Sequence, residues 1–244
     1  MDSIILKWNV FVDALIAKGG YKDVLTGLIN TFKISVLGLI IGIIIGTLLA
    51  TVKVMPRYKL IVRILQKIVD GYVALFRGTP IVVQLLVSYY VFFKSLGSVT
   101  TCVLVFGLNS GAYISEIMRS GIKSVDPGQM EAGRALGLSY SMTMIKIVIP
   151  QAVKNILPTL GNEFIALIKE TSVVSFVSAM DLNVAFRKIA ANNYEFIIPY
   201  LALALVYIII VAAITVLIRL MERRLARSDR NRQSDKKVRK SYGA

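Results

Sequence analysis

Long apolar runs constrain this chain more than any other feature of its sequence. Several windows of about 20 residues carry few or no charged side chains, and a helix of that length crosses a bilayer. Of the 244 residues, 56% are hydrophobic and the mean hydropathy is +0.69, which is more apolar than an ordinary soluble domain. We therefore expect an all-α polytopic membrane protein.

The net charge of +15 would fit a nucleic-acid-binding protein if it were spread over one soluble surface. The lysines and arginines instead cluster beside the apolar runs, as the positive-inside rule describes for membrane proteins. We therefore expect no nucleic acid among the partners, and we use the distribution of charge to predict the membrane topology.

The sequence contains few of the groups that carry enzymatic chemistry. It has no histidine and one cysteine, Cys102, within an apolar run, so an internal disulfide and the commonest general base and metal ligand are excluded. A G-x-x-x-x-G-K-[ST] phosphate loop is also missing. The N-terminus lacks the pattern of a removable signal peptide. We expect no cofactor in this chain and no catalytic residue.

The first 54 residues predict two helices. Residues 1–20 place apolar side chains at near-helical spacing around Trp8, which is typical of an amphipathic helix at the membrane interface. Span 1 covers about 24–52. It carries a glycine at every fourth position, which permits close packing against another helix; these are Gly38, Gly42 and Gly46.

The middle of the chain predicts two further spans. A basic segment, 53–67, precedes span 2 at about 69–93, which is interrupted at Arg77-Gly78-Thr79-Pro80. Since Pro80 removes a helical hydrogen bond, we expect a kink there. Span 3 covers about 101–118.

The remaining sequence predicts two more spans. Span 4, about 155–180, is unusually polar, and a neutral loop at about 181–195 separates it from span 5 at about 196–218. The basic tail, 223–244, favours contact with anionic lipid, and contact with a soluble partner subunit is the alternative.

Charge alternates along this path and predicts the topology. The segments outside the spans carry 0, +5, +1, +3, 0 and +7 in order. Five spans with the N-terminus outside and the C-terminus cytoplasmic place every strongly positive segment in the cytoplasm. Splitting span 2 at Pro80 into two crossings would place a strongly positive segment outside, so we reject a six-span topology. The transmembrane domain then covers 21–222, with a cytoplasmic insert at 119–154.

This insert has the pattern of two short helices joined by a turn. Asp126-Pro127 is typical of a helix start, and Gly137 supplies the left-handed residue that ends a helix. A second amphipathic helix follows, and Pro150 shapes its approach to span 4. Structured segments of this length are usually functional; the alternative is a plain connection between two spans.

The insert resembles the EAA signature of bacterial ABC-importer permeases. That signature is E-A-A, three residues, G, nine residues, I-x-L-P. The chain matches it at Glu131, Ala132, Gly137, Ile147 and Pro150. It differs in having Gly133 for the second alanine and Ile149 for the leucine. Flanking motifs resemble the polar-amino-acid branch: Arg77-Gly-Thr-Pro80, Ala112 to Arg119, Gly128-Gln129, Asn162 to Ile165, Lys169 to Ser172 and Glu222-Arg223-Arg224.

The resemblance implies a mechanical role for the insert. In the family, this segment docks on a separate ATP-binding cassette subunit at the cytoplasmic face. Glu131 would make a charged contact, Ala132 and Gly133 would allow close approach, and Gly137 would set the angle between two helices. Closure of the ATPase dimer would then move the insert and the spans with it.

Span 4 supplies the candidate substrate pathway, because ionisable groups within a span are costly and usually functional. We expect Asn162 and Glu163, with Arg77 and Tyr113, to face the pathway; the alternative is a structural pair between Glu163 and a basic residue such as Arg77. Lys169 and Glu170 are predicted to form a gating or structural pair. We place Glu116 at the cytoplasmic end of span 3, near Arg119.

Together these features favour a type I ABC-importer permease subunit for a polar amino acid in the bacterial inner membrane. Such a subunit would form a dimer with itself or a related chain. Two ATP-binding cassette subunits and an extracytoplasmic amino-acid-binding protein would complete the transporter. The main alternative is an ion-coupled secondary transporter, which commonly contains internal repeats that we do not find. A membrane-embedded hydrolase ranks last, since only Ser/Lys or carboxylate chemistry remains.

Overall fold

The structure, a computed structural model, describes the backbone of residues 2–93 and 95–242 and the side chains of residues 4–93 and 95–224. The described backbone is helical throughout and contains no strand. Ten α-helices occur in order: α1 Asp2–Leu15, α2 Gly20–Val54, α3 Leu60–Gly78, α4 Ile81–Val87, α5 Ser98–Lys123, α6 Pro127–Ala135, α7 Tyr140–Thr143, α8 Ile149–Glu170, α9 Leu182–Asn193 and α10 Ile197–Tyr242.

The pair α2 and α5 forms the centre of the fold, and glycines on both helices bring it together. A Cβ built on Gly46 would lie 2.6 Å from Ile114 Cγ2, and one built on Gly107 of α5 would lie 2.5 Å from Ile41 Cγ2. Each helix therefore accepts an isoleucine of the other against its bare backbone. The close packing predicted from the four-residue glycine repeat is confirmed, and its partner is α5.

The break predicted at Pro80 is confirmed and is sharper than a kink. The axes of α3 and of the helix from Ile81 to Phe92 differ by 103°. The Gln84 side-chain amide donates to the Phe76 carbonyl at 2.8 Å and to the Thr79 carbonyl at 3.0 Å. These bonds satisfy acceptors that a broken helix leaves without partners. The helix before the break begins at Leu60, earlier than the predicted start of span 2.

The predicted insert, 119–154, is shorter in the structure, because helices on both sides continue into it. α5 extends to Lys123, and α7 runs through a π-helical turn, Met144–Val148, directly into α8. The segment between α5 and α7, residues 124–139, is the separate part. α8 continues past Pro158 to Glu170.

The predicted loop at 181–195 is wrong, since most of it forms α9. The Asp181 carboxylate accepts a hydrogen bond from the Val184 amide at 2.9 Å and caps the helix. The apolar residues of α9 recur with helical spacing and are buried, so the pattern was present but the four charged residues of the segment concealed it. These buried residues are Leu182, Ala185, Phe186, Ile189 and Ala190.

The N-terminal helix α1 packs against the fold through its second half and exposes apolar residues in its first half. Phe11 and Ala14 are buried in one cluster with Ile189 of α9 and Leu203 of α10. The first two turns of α1 expose large apolar side chains, which suits a lipid surface; these are Ile4, Ile5, Leu6 and Trp8.

Three helices of the described residues are long and apolar enough to cross a membrane: Gly20–Val54, Ser98–Lys123 and Ile197–Arg224. The bent pair α3 and α4 makes a fourth if it counts as one span. Predicted span 4 corresponds to α8 and a 3₁₀ turn, Thr171–Val177, and α8 does not pass that test. In the predicted basic tail, 223–244, side chains beyond Arg224 lie outside the described residues.

Candidate functional site

The insert is built as the sequence predicts. Asp126 Oδ1 accepts a hydrogen bond from the Gly128 amide at 2.9 Å at the start of α6, with Pro127 as its first residue. Gly137 has φ +83°, a conformation that glycine adopts readily and other residues rarely. The amide of Leu138 donates to the Gly133 carbonyl at 3.1 Å and closes the helix end. The start and stop predicted for this helix are confirmed.

The second half of the insert is fixed to α2 as well as to α8. Ser139 caps α7 by accepting from the Met142 amide at 3.2 Å. The Tyr140 hydroxyl donates to the carbonyl of Val54, at the last turn of α2, at 3.2 Å. Burial raises the pKa of Tyr140 above its ordinary value. The insert is therefore attached to both α2 and α8.

The EAA residues divide into an exposed set and a buried one. Glu131 and Ala132 are exposed, and Leu136 is 82% exposed, so α6 presents charged and apolar groups with no partner among the described residues. Pro150 is also exposed. Gly133 is buried, and a Cβ there would collide with the Thr143 side chain of α7. Within this chain its close approach is to α7, and its expected role at the contact with an ATPase subunit stays a prediction.

This contact predicts the effect of restoring an alanine at Gly133. Gly133→Ala places a methyl group against Thr143 Cγ2, and overpacking of this kind costs about 1–3 kcal/mol. We expect uptake to fall several-fold. Thr143→Ala removes both side-chain atoms nearest to that methyl group, Cγ2 and Oγ1, and loses only the hydrogen bond that the hydroxyl donates to the Ser139 carbonyl at 3.0 Å. The double variant should recover most of the uptake; if it transports no better than Gly133→Ala, the contact with Thr143 is not the cause.

The second candidate region centres on Glu163 of α8. Ser110 Oγ of α5 donates to Glu163 Oε1 at 3.0 Å, and the Glu163 side chain is partly buried. The alternative ion pair with Arg77 is not formed. The Arg77 guanidinium instead lies 5.2 Å from the centroid of the Tyr113 ring, a cation–π contact.

Arg77 and Tyr113 line a cavity of about 630 Å³ between α3, α5 and α8. Asn155 and Thr159 of α8 also line it, eight and four residues before Glu163, and therefore on the same helix face. Neither residue was singled out from the sequence, although the four-residue spacing to Glu163 was visible. Ser110 was also missed, because nothing in its local sequence predicts which helix it contacts.

The other predicted residues of α8 do not join this site. Asn162 is exposed, bonds to no described residue of α5 and, like Glu163, is not part of the cavity lining. Lys169 and Glu170 are exposed at the end of α8, and the ion pairs of the described side chains do not include one between them. The predicted gating pair is thus not formed in this conformation.

An ion-pair network joins α2, α3 and α5 near the insert. Lys53 Nζ lies 2.8 Å from Asp70 Oδ1 and also pairs with Glu116, while Arg119 Nη2 lies 2.6 Å from Glu116 Oε2. Glu116 therefore belongs to the insert end of α5, as expected. Ion pairs of this kind, partly exposed to solvent, are weak evidence for added stability.

These features match a known family of transport proteins. The family model described as "Binding-protein-dependent transport system inner membrane component" matches residues 38–227, more than half of the chain. The chain belongs to this family. It is thus a membrane-embedded transporter subunit and not itself an enzyme.

Individual relatives support this assignment along most of the sequence. A protein of Rickettsia bellii, described as a glutamine transport system permease, is 38% identical over 206 residues, covering 83% of this chain and 92% of that protein. The arginine transport system permease ArtQ of Bacillus subtilis is 37% identical over 210 residues, covering 84% and 94%.

Solved structures agree with the fold. The chain resembles a structure described as an amino acid ABC transporter with histidines, with a TM-score of 0.78 and 36% identity, covering 87% of this chain and 98% of that one. The MetNI methionine ABC transporter shares the fold at a TM-score of 0.66 and 20% identity, covering 84% and 95%.

Proposed function

We propose that this chain is the membrane-spanning subunit of an ATP-driven importer for a polar amino acid. The observation that carries the proposal is the insert: a capped helix with exposed Glu131 and Leu136, fixed to α2 through Tyr140 and continuous with α8. A plain connection needs neither the internal packing nor the exposed apolar residue. The names of the relatives support an amino acid as the cargo.

We infer five spans, with α8 as the fourth and the N-terminus outside. Glu163 of α8 bonds to α5, and Asn155 and Thr159 line the cavity, as polar groups of a span do when they line a pathway. The strongly positive segments then all lie in the cytoplasm, together with the insert. One chain of this size leaves the polar face of α8 open, which supports a dimer with a second copy or a related chain.

The insert would dock on an ATP-binding cassette subunit, one for each permease chain. Glu131 would meet a cationic side chain, Ala132 would allow backbone approach, and Leu136 would fill an apolar groove. Gly133 and Gly137 would keep the two insert helices at a fixed angle, and Pro150 lies where α8 leaves the insert. Closure of the ATPase subunits would then move α2 and α8, because the contact between the insert and the ATPase subunits would differ between their open and closed states.

The substrate would pass between the two permease subunits, along α8. Glu163 and Asn162 would bind the ammonium group or a polar side chain of the substrate. Arg77, which lies over the Tyr113 ring, would pair with the substrate carboxylate. A carboxylate held by one serine hydroxyl in a partly buried site retains acceptor capacity for a ligand. Asn155 and Thr159 extend this polar lining toward the insert.

Reconstitution with the ATPase subunits and the binding protein tests the proposed function. Each polar amino acid is screened for stimulation of ATP hydrolysis and for uptake into proteoliposomes. We expect uptake to require ATP and to persist when ionophores collapse all ion gradients. Uptake that follows an ion gradient without ATP would show a secondary transporter instead.

Glu163→Gln tests the substrate role separately. The change keeps the shape and the hydrogen bond with Ser110 but removes the charge, so we expect about a tenfold loss of uptake for a cationic substrate, equivalent to ~1.4 kcal/mol. Basal ATPase activity of the assembled complex should not change. Glu222→Gln, a charge removal on an exposed turn of α10, is the matched control. Unaltered uptake and selectivity in Glu163→Gln would leave Glu163 with a structural role.

A further inference from the structure

The end of the molecule opposite the insert carries a rigid exposed turn between α9 and α10. Lys188 of α9 pairs with Asp23, in the first turn of α2, at 2.8 Å. The insert contacts the last turn of the same helix through Val54. Since α2 has 35 residues and rises about 1.5 Å per residue, its two ends lie on opposite sides of a bilayer.

Tyr194 has an unusual backbone in this turn. It ends α9 with φ 52° and ψ 25°, the left-handed conformation that costs an ordinary residue about 1–2 kcal/mol. Glycine, or sometimes asparagine, normally occupies such a position. The Tyr194 side chain is 90% exposed, so burial does not offset this cost. The conformation closes the helix end, since the Glu195 amide donates to the Ala190 carbonyl at 3.2 Å, but packing does not explain why an exposed tyrosine occupies the position instead of glycine.

Polar contacts hold the turn in place on both sides of Tyr194. Lys18 Nζ donates to Asn193 Oδ1 at 3.2 Å, and Lys7 Nζ lies 3.1 Å from Glu195 Oε2. The second Glu195 oxygen, Oε1, accepts from the Ile197 amide at 3.1 Å and caps α10. The exposed ring is thus presented on a fixed frame, which lowers the entropy lost when it is bound.

The exposed face of α9 near Tyr194 carries a cationic side chain and a small one. Arg187 and Ala191 are four residues apart and lie on one face of α9; both are exposed, as is Tyr194, which follows the end of the helix. Arg187 takes part in none of the ion pairs formed by the described side chains. Tyrosine and arginine are residue types enriched at protein-binding hot spots.

We propose that Tyr194, with Ala191 and Arg187, forms the contact on which the extracytoplasmic amino-acid-binding protein docks. The inference rests on the proposed function, which places such a partner on the side opposite the insert. The ring would enter an apolar recess of the binding protein, and Arg187 would meet an acidic group beside it. Charge complementarity of this kind mainly affects the association rate.

Tyr194→Gly tests the proposal because docking and folding respond in opposite directions. Glycine removes the ring and adopts the left-handed conformation without strain, so the unfolding temperature should stay the same or rise. ATPase activity of the reconstituted complex is measured while the binding protein, loaded with its amino acid, is titrated. We expect the half-maximal concentration of binding protein to rise about tenfold, the loss typical of an aromatic anchor, with an unchanged maximal rate.

A second anchor variant and a charge variant extend the test. Tyr194→Asn keeps a residue that tolerates the left-handed conformation and should shift the titration as Tyr194→Gly does. Arg187→Glu should raise the half-maximal concentration most at low ionic strength, because salt screens exposed charges.

Phe196→Ala is the matched control. Phe196 is 46% exposed and stacks on Tyr200 at the start of α10, a position suited to a lipid headgroup anchor. Its removal should leave the titration unchanged. If Tyr194→Gly titrates like the unaltered complex, the proposed contact is wrong. An equal shift in Phe196→Ala shows lipid anchoring instead and also overturns it. If the binding protein fails to stimulate even the unaltered complex, the proposed function fails first.

Discussion

Combining Glu131→Arg with Gly137→Pro is expected to abolish uptake while the protein still inserts in the membrane. Glu131 is exposed on α6, and reversing its charge against a cationic partner costs several kcal/mol. Gly137 has φ +83°, whereas proline fixes φ near −65° and removes the amide. The hydrogen bond from the Gly137 amide to the Arg134 carbonyl, 3.0 Å long, would be lost. We expect uptake to fall by about a hundredfold or more, equivalent to ~2.7 kcal/mol or more.

Membrane insertion, copurification of the ATPase subunit and uptake in proteoliposomes are measured on the same preparation. Asp13→Arg is the control, since it reverses an exposed acidic residue in α1, far from the insert, and should leave copurification intact. The proposed docking role would be falsified if the double variant transported normally. If the double variant fails to insert in the membrane, Glu131→Arg alone tests the docking role, because this change disturbs no contact among the described side chains.

Leucine at Gly42 and Gly46 together should prevent stable folding of the subunit. A Cβ at Gly42 would lie 2.9 Å from Ser110 Cβ, and one at Gly46 would lie 2.6 Å from Ile114 Cγ2. The remaining atoms of leucine need still more room, so α2 and α5 must separate. Each insertion into a packed interior typically costs about 1–3 kcal/mol, and two act on the same helix pair.

We expect little monodisperse protein from the Gly42→Leu, Gly46→Leu variant and a clearly lower unfolding temperature for what remains. Gly71→Leu is the matched control, because a Cβ at Gly71 of α3 has nothing within 4 Å. Its yield and unfolding temperature should equal those of the unaltered chain. Equal yields from the two variants would show that α2 and α5 do not pack through their glycines in the membrane.

The glycine contacts also explain why Glu163 lies where it does. Ser110 fits against Gly42, and from that position its hydroxyl reaches Glu163 of α8 at 3.0 Å. A larger residue at position 42 would displace Ser110 and with it the only hydrogen bond that the described residues give to Glu163. The packing of α2 on α5 therefore positions a carboxylate on a third helix.

Much of the insert was predictable because local chemistry specifies it. Asp126-Pro127 starts a helix and Gly137 ends one through backbone preferences that need no tertiary contact. The break at Pro80 follows in the same way from the missing amide. α9 was missed because the charges of its segment indicated a loop, while burial of its apolar face depends on α1, α2 and α10, which sequence spacing alone does not bring together.

The sequence alone determined the helical class, the glycine face of α2, the break after α3 and the two ends of α6, since each depends on neighbours within one or two helical turns. Only the tertiary structure decided that Gly133 packs on Thr143, that Glu163 is held by Ser110 rather than Arg77, and that Tyr194 projects from a fixed turn. Those contacts join residues from 10 to more than 50 positions apart, and the local sequence does not encode which helix faces meet. They depend on the packing of whole helices, in which shape and the close approach permitted by glycine select the partners.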